Sequence, residues 1–316
     1  MLSPKGIPPS TVVMLLVLAV GCQITKAGTA NETGLTLTPQ VTVASKEEAS
    51  VSTVPTLDKE EVYRLVEGLV RPDAGCLLPC WWGIIPGEST AAVTQAILAP
   101  LGVAGFFVEP SVGGAGGIEI VSSRDDIEIP INLRYLLSPD GAVVQSISVH
   151  TQAVRILEDG ALEPAYGNAA YNALLSPYSL SDILSTYGPP SQVLLSVELN
   201  EAEPTAPDFA RSWLLYPERG AILRFTGSAE SAEDVVRTCP SNTFVDLWLG
   251  PSDRPDLFEQ TMRELTDDGW RDMTPTSPYL KPILAATAVT PHQFYETYKE
   301  PTTVCLESPL DIWPPR

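Results

Sequence analysis

The chain has 316 residues and is strongly acidic, with 39 Asp and Glu against 19 Lys and Arg, which gives a net charge of −20. This charge argues against nucleic acid as a partner and against a domain that lies flat on anionic lipid, since both require clustered Lys and Arg. An apolar content of 44% supports a buried core, and 30 Pro with 22 Gly indicate many turns and more strand than long helix.

Residues 1–22 have the pattern of an export signal. One Lys precedes an apolar run, Val12 to Val20, that is too short to span a bilayer, which takes roughly twenty residues. The following Cys22 resembles the Cys of the lipobox of bacterial lipoproteins, a family that usually has Leu at the position of Ala19. The resemblance implies that Cys22 becomes the lipidated, acylated N-terminus. The alternatives are a plain signal peptide cut elsewhere and an uncleaved anchor.

Residues 23–57 are rich in Thr, Ser, Ala and Val and contain no aromatic residue. Such a composition does not bury a core and predicts a flexible tether. We therefore expect a membrane partner through the lipidated N-terminus. We also expect a folded part that lies in the bacterial cell envelope and faces outside the cytoplasm.

Four cysteines remain besides Cys22, and an even number outside the cytoplasm predicts two disulfides. Of the three pairings we favour Cys76–Cys80, which closes a short turn, and Cys239–Cys305, which pins the C-terminal segment. The alternative is a zinc site made of all four thiolates, or of Cys and His, because Cys-x3-Cys lies within the spacing that zinc sites use. Scattered partners and an oxidising compartment argue against it, so we assign no metal and no cofactor.

The segment 58–165 is predicted to form a first unit of helix and strand. Asp58 is the predicted N-cap of an amphipathic helix. A rigid loop, Cys76 to Thr90, leads to a second helix that is capped by Ser89 or Thr90, with inward positions Val93, Ile97 and Leu101.

Apolar residues alternate with polar ones from Ile127 to Tyr135, which predicts a strand with one buried face. Pro130 places this strand at an edge or at a bulge. The tetrapeptide Ser138 to Gly141 predicts a hairpin turn.

The segment 166–316 is predicted to be a second such unit with a C-terminal helical extension, which includes helices at 256–265 and after Thr290. Residues 135–143 and 213–222 share an aromatic residue, two Leu, a Pro, an acid and then Gly and Ala. This match indicates a duplication, although any two hairpins can share such turns. The predicted fold class is α+β, with two tandem helix-plus-antiparallel-sheet units and the helices packed on one face of the sheets.

The block from Cys76 to Thr90 resembles a Cys-x-x-Pro-Cys-Trp-Trp-Gly segment of uncharacterised exported bacterial lipoproteins, a family without an assigned activity. More distantly, the helix-and-sheet units are similar to those of outer-membrane-assembly lipoproteins and β-lactamase-inhibitor-like domains. The latter resemblance implies binding modules with a helical layer against an antiparallel sheet, and a likeness of fold does not establish function.

No catalytic signature stands out in the sequence, so we assign no catalytic residue. His150 and His292 are read as surface or capping residues rather than bases. Trp81 and Trp82 are candidate binding residues, because neighbours in an extended segment point to opposite sides and one ring is then exposed. The alternative, which we favour, is that both rings belong to the core around the disulfide.

The sequence thus predicts a membrane-anchored extracytoplasmic lipoprotein that binds envelope proteins or a small ligand, and it favours a binding or assembly module over an enzyme. The alternative is a secreted hydrolase that depends on carboxylates or a metal, because acidic residues are abundant and only the fold decides which of them meet.

Overall fold

One sheet carries strands from both predicted units, and the chain is an α+β protein. The computed structural model describes residues 57–70, 76–101, 106–108, 114–124, 127–157, 160–165, 167–199, 208–254 and 280–313. Within these residues the strands are β1 Phe106–Val108, β2 Ala115–Arg124, β3 Ile127–Leu137, β4 Val144–Gln152, β5 Val154–Ile156, β6 Leu162–Pro164, β7 Gln192–Glu198, β8 Asp208–Tyr216, β9 Ala221–Ala232, β10 Val235–Leu249, β11 Leu280–Pro282 and β12 Leu306–Pro309.

The strand order is β1-β2-β3-β4-β10-β9-β8-β7-β11, and all the pairings are antiparallel. Strand β5 pairs with β3 and β6, and β12 pairs with β10. The pairing of β4 with β10 joins the strands of the two predicted units into a single sheet. At this seam the Tyr171 hydroxyl lies 2.8 Å from Oγ1 of Thr151 and accepts the N–H of Val245.

The described helices are α1 Lys59–Val70, α2 Ala91–Leu98, α3 Ala169–Leu174, α4 Leu180–Tyr187, α5 Ile283–Thr287 and α6 Pro291–Tyr298. Their caps follow the sequence signals. Asp58 accepts the N–H of Glu61, Ser179 accepts the N–H of Asp182, and Thr290 and Gln293 form a capping box.

The start of α2 decides which of its side chains point inward. Thr90 is the N-cap and accepts the N–H of Val93, whereas Ser89 accepts the N–H of Ile85 in the preceding turn. Thr94 and Leu98, four residues apart, are therefore the buried positions. The prediction that Val93 points inward is wrong, because its side chain lies on the outer side of the helix and is 48% exposed.

Strand β3 has the predicted alternation, since its odd-numbered residues from Ile127 to Tyr135 are all buried. The prediction that Pro130 marks an edge or a bulge is wrong, because β3 lies inside the sheet and Pro130 pairs with Val121. On its other side β3 changes partner from β4, at Ile131, to β5, at Glu128. The missing N–H of Pro130 thus falls where that ladder is interrupted.

The two faces of the sheet bury different sets of residues. On the core face, residues of β2–β4 and β7–β10 share one cluster with buried residues of α1, α4, α5 and α6. We call the other side the opposite face, and under β7–β11 it buries a separate cluster of Leu194, Trp213, Leu215, Ile222 and Leu280.

The two segments that match in sequence are both hairpins. The first joins β3 to β4 through the predicted turn, in which Gly141 donates to the carbonyl of Ser138 at a distance of 2.7 Å. The second joins β8 to β9 through Pro217–Arg219 and Gly220. In the sheet, β4 and β9 lie on the two sides of β10.

Several predictions fall on other parts of the chain. The signal, Cys22, almost all of the tether and the helix at 256–265 lie outside the described residues. In the part of the chain that the structure describes, no helix has the length and apolar character that a membrane crossing requires.

Candidate functional site

A row of side chains crosses the opposite face of the sheet from strand to strand. Directly paired positions place Glu119 of β2, Asn132 of β3, His150 of β4, Asp246 of β10, Arg224 of β9 and Trp213 of β8 side by side. Paired residues in antiparallel strands point to the same face, so these six side chains form one line, which we call the cross-strand row.

The centre of the row is a buried carboxylate between two basic side chains. Asp246 is 0% exposed, and it is the one carboxylate that is buried among the described residues. Nε of Arg224 lies 2.5 Å from its Oδ2, and Nδ1 of His150 contacts its Oδ1. Burial alone raises the pKa of Asp246, but the charge of Arg224 and the contact with His150 together hold it below its usual range. Asp246 is therefore an anion that its neighbours neutralise.

Arg224 is held in place by aromatic rings as well as by Asp246. Its guanidinium carbon lies 5.2 Å from the ring centroid of Trp213 and 5.4 Å from that of Trp248, and the two indoles stack at 5.3 Å. Cation–π contacts of this kind favour a desolvated guanidinium. The arrangement fixes the orientation of Arg224, and through it that of the Asp246 carboxylate.

His150 lies at the boundary between the buried and the exposed part of the opposite face. Its side chain is 49% exposed although its partner Asp246 is fully buried. The interpretation of His150 as a surface residue agrees with this exposure, but the carboxylate behind the ring is not predicted from the sequence around His150. A carboxylate that holds one ring nitrogen orients the imidazole for contacts made by the rest of the ring.

The opposite face is exposed at the β2–β4 end of the row and buried at the β8–β10 end. Under β2–β4, Val121, Arg134, Leu136 and His150 are exposed. Under β8–β10, by contrast, Trp213, Ile222, Arg224 and Asp246 are buried. The exposed half of the opposite face, under β2–β4, therefore presents polar and apolar side chains next to the charged group of His150, Asp246 and Arg224.

In the loop with two tryptophans, the favoured arrangement with both rings in the core is confirmed, and neither ring is the exposed binding residue that the candidate site required. Trp81 and Trp82 are only 1% and 3% exposed. Trp81 and Ile84 exchange two backbone hydrogen bonds, and the two residues between them, Trp82 and Gly83, have φ of 55° and 81°. This tight turn replaces the extended segment that the expectation assumed, so both rings pack into the core. The Trp81 ring lies 4.5 Å from that of Tyr178.

Both disulfides have the pairing that the sequence analysis favours, Cys76–Cys80 and Cys239–Cys305. A zinc site made of four thiolates is therefore wrong, because these sulfurs are bonded to one another. Among the described residues, no three His, Cys, Asp or Glu side chains come together as a metal site requires. His292 lies in the first turn of α6, and its ring stacks on Tyr295.

A small cavity adjoins the Cys76–Cys80 loop. Its volume is about 110 Å³, and the described residues that line it are Val70, Cys76, Leu77, Pro177, Tyr178, Asp182, Thr186 and Tyr187. The Tyr187 hydroxyl accepts the N–H of Leu78 at 2.9 Å and thereby ties the disulfide loop to α4.

No protein-family model, no curated protein and no solved structure matches the chain.

The sequence did contain one signal for the cross-strand row. In β10, Asp246 stands between Val245 and Leu247, and in β9, Arg224 stands between Leu223 and Phe225. A charged residue inside an otherwise apolar strand points to a buried ion pair, because an unpaired buried charge is costly. The topology decides which two strands lie side by side. The sequence alone therefore does not show that Arg224 and Asp246 form a pair.

Proposed function

We propose that the protein is a membrane-anchored, extracytoplasmic lipoprotein that acts as a binding or envelope-assembly module. The observation that carries the binding role is the exposed half of the opposite face, where polar and apolar side chains of β2–β4 adjoin the cross-strand row. Binding surfaces of proteins have this mixture of polar and apolar groups.

The cross-strand row supports a binding role more than a catalytic one. Hydrolysis by two carboxylates needs a pair whose pKa values differ, with one raised so that the group can donate a proton. Asp246 has a lowered pKa and is engaged by Arg224 and His150. A carboxylate in this state orients a neighbour and does not act as a general acid.

The binding role is tested by photo-crosslinking in the cells that produce the protein. A photoreactive residue at Arg134 or Ser148 samples the opposite face, and one at the exposed Gln95 of α2 is the matched control. We expect discrete adducts from positions 134 and 148 and none from 95. Equal adducts from all three positions, or no adduct from 134 and 148, would contradict the proposed surface.

The anchor is tested separately. The substitution Cys22→Ser removes the sulfur that the lipobox resemblance implies as the lipid acceptor, so the protein should move from the membrane fraction to the aqueous one. Intact mass of the membrane-extracted protein should show a lipid adduct that Cys22→Ser lacks. An unmodified Cys22 in the membrane-bound protein would reject the lipoprotein proposal.

We also propose that the folded part consists of two duplicated units that share the sheet, with helices over one face. The two matching hairpins and their positions on either side of β10 support this. Native-state hydrogen exchange tests it, because separate units open with separate free energies. Two distinct protection levels, one in β3–β4 and one in β8–β9, are expected, and a single level would speak against two units.

A further inference from the structure

The two sulfurs of the Cys76–Cys80 disulfide have different environments. Cys76 is partly exposed and lines the cavity beside α4, whereas Cys80 is 7% exposed and does not line it. We propose that this disulfide is a thiol–disulfide exchange site, at which a small cationic thiol enters the cavity and attacks Sγ of Cys76.

The loop that this disulfide closes is short. Its cysteines are 4 residues apart in sequence, compared with 66 for Cys239–Cys305. In the chain-entropy description, a disulfide gains stabilisation as the loop that it closes grows longer. By this description the Cys76–Cys80 bond stabilises the fold less than Cys239–Cys305 does, so its opening costs the folded protein less.

A backbone donor lies where it would stabilise a thiolate at Cys76 once the bond opens. The backbone N–H of Gly83 donates to Sγ of Cys76 at a distance of 3.2 Å. A donor to sulfur favours the thiolate, whereas burial of Cys80 favours its neutral thiol. Exchange thus leaves a thiolate at the cavity and a protonated thiol inside.

The cavity has the charge that selects a cationic thiol. Burial raises the pKa of Tyr178 and Tyr187, so both hydroxyls are neutral in the pH range of thiol exchange. Arg219 contacts the Tyr187 ring but is not among the lining residues. Asp182 is then the one charged residue among the described residues that line the cavity, and its carboxylate attracts an ammonium group and repels an anion.

The exchange balances in two steps. The incoming thiolate forms a bond to Sγ of Cys76 while the Cys76–Cys80 bond breaks, and Sγ of Cys80 takes the electron pair and then a proton. A second molecule of the same thiol attacks the mixed disulfide, forms the small-molecule disulfide and releases the Cys76 thiolate. Two small thiols are oxidised, and the protein disulfide is reduced to two thiols.

The first experiment compares two small thiols on the full chain. Cysteamine carries a positive charge and 2-mercaptoethanesulfonate a negative one, and opened cysteines are alkylated and mapped by peptide mass. We expect Cys76–Cys80 to open before Cys239–Cys305. Per thiolate, cysteamine should react at least about fivefold faster, because one charge pair a few ångströms apart in water changes a rate by about that factor and the two thiols differ by two unit charges. Opening of Cys239–Cys305 first, or equal rates for the two thiols, would overturn the proposal.

Two sets of variants test separately the charge of Asp182 and the accessibility of each cysteine. Asp182→Asn should lower the ratio of the cysteamine rate to the 2-mercaptoethanesulfonate rate, whereas Asp253→Asn, at an exposed carboxylate elsewhere, should leave that ratio unchanged. In Cys80→Ser, cystamine should form a mixed disulfide at Cys76. In Cys76→Ser, the buried Cys80 should react at least tenfold more slowly, as expected for an inaccessible thiol. A faster reaction at Cys80 than at Cys76 would also overturn the proposal. The ratio of the cysteamine and 2-mercaptoethanesulfonate rates is measured on the unaltered protein, so this test holds even where a variant folds poorly.

Discussion

At the residue scale, Asp246 shows how neighbours set the state of a buried charge. Desolvation disfavours its ionised form, and two basic side chains from the adjacent strands reverse that effect. Arg224 is held in turn by two indole rings. The ionised carboxylate therefore depends on strands that are distant in sequence.

Removing the Asp246 charge should cost stability near neutral pH. Asp246→Asn leaves Arg224 buried without its anion, and breaking a buried pair in this way costs about 3–5 kcal/mol. Urea unfolding at pH 7 measures this loss, and Asp253→Asn is the exposed control, for which we expect no measurable change. A loss for Asp246→Asn no larger than that of the control would reject the ion pair.

The same carboxylate predicts an acid dependence. Its pKa is lower in the folded protein than the reference value of 3.8, so its contribution is fully present above about pH 4 and is lost as pH falls through the folded pKa. The stability gap between the unaltered protein and Asp246→Asn should therefore shrink below pH 4. Urea unfolding of both proteins at pH 7, 5 and 3 measures this difference in the free energy of unfolding. A difference that grows as the pH falls would contradict the prediction.

At the element scale, turns and caps determine where strands and helices begin. Gly141 and Gly220 both have positive φ, 72° and 57°, in the two matching hairpins. A Cβ at Gly141 would meet nothing within 4 Å, whereas one at Gly220 would lie 2.1 Å from the carbonyl oxygen of Gly250. Both hairpins thus need glycine for its positive φ, and Gly220 is needed in addition because the backbone of Gly250 lies so close.

These two glycines form a matched pair of substitutions. Gly141→Ala should cost about 1 kcal/mol, the cost of a left-handed backbone for alanine. Gly220→Ala adds a clash with backbone and should cost at least about 2 kcal/mol more. Urea unfolding of both variants tests this, and equal losses would show that Gly250 moves away without cost.

The capping box of α6 gives a second comparison within one element. Thr290→Ala removes the acceptor of the Gln293 N–H and should cost about 1 kcal/mol. Thr297→Ala, whose hydroxyl bonds back to the Gln293 carbonyl, should be close to neutral. Thermal unfolding compares the two, and a larger loss for Thr297→Ala would contradict the assigned cap.

At the scale of the whole molecule, the seam between β4 and β10 and the Cys239–Cys305 bond connect distant parts of the chain. The seam joins strands from both predicted units, with Tyr171 bonded to both strands. The disulfide ties β10 to the segment before β12, which pairs with β10. The described residues, from Leu57 to Trp313, belong to one compact unit.

The two disulfides should differ in their contribution to stability. By loop entropy, replacing Cys239 and Cys305 with Ser should cost about 4 kcal/mol, and replacing Cys76 and Cys80 should cost about 2 kcal/mol. Urea unfolding of the two double variants gives the comparison. A larger loss for the short loop would mean that strain or packing outweighs chain entropy here.

The sequence by itself determined the local features: the caps at Asp58, Ser179 and Thr290, the turn at Ser138–Gly141 and the alternation of β3. These depend on neighbours a few residues away, so periodicity and turn chemistry are enough to predict them. The sequence also predicts the disulfide pairing, because the spacing of the cysteines and the oxidising compartment that we expect restrict the choices.

Only the tertiary structure decided what meets across the sheet. The cross-strand row, the burial of both tryptophans and the place of Pro130 within β3 depend on which strands pair and on a backbone turn at Trp82. The order of the strands brings together residues that are about a hundred positions apart in the chain. The pattern of apolar and polar residues within one strand does not show which strand pairs with it. For that reason the sequence located a charged residue in β10 and another in β9, and only the fold made them a site.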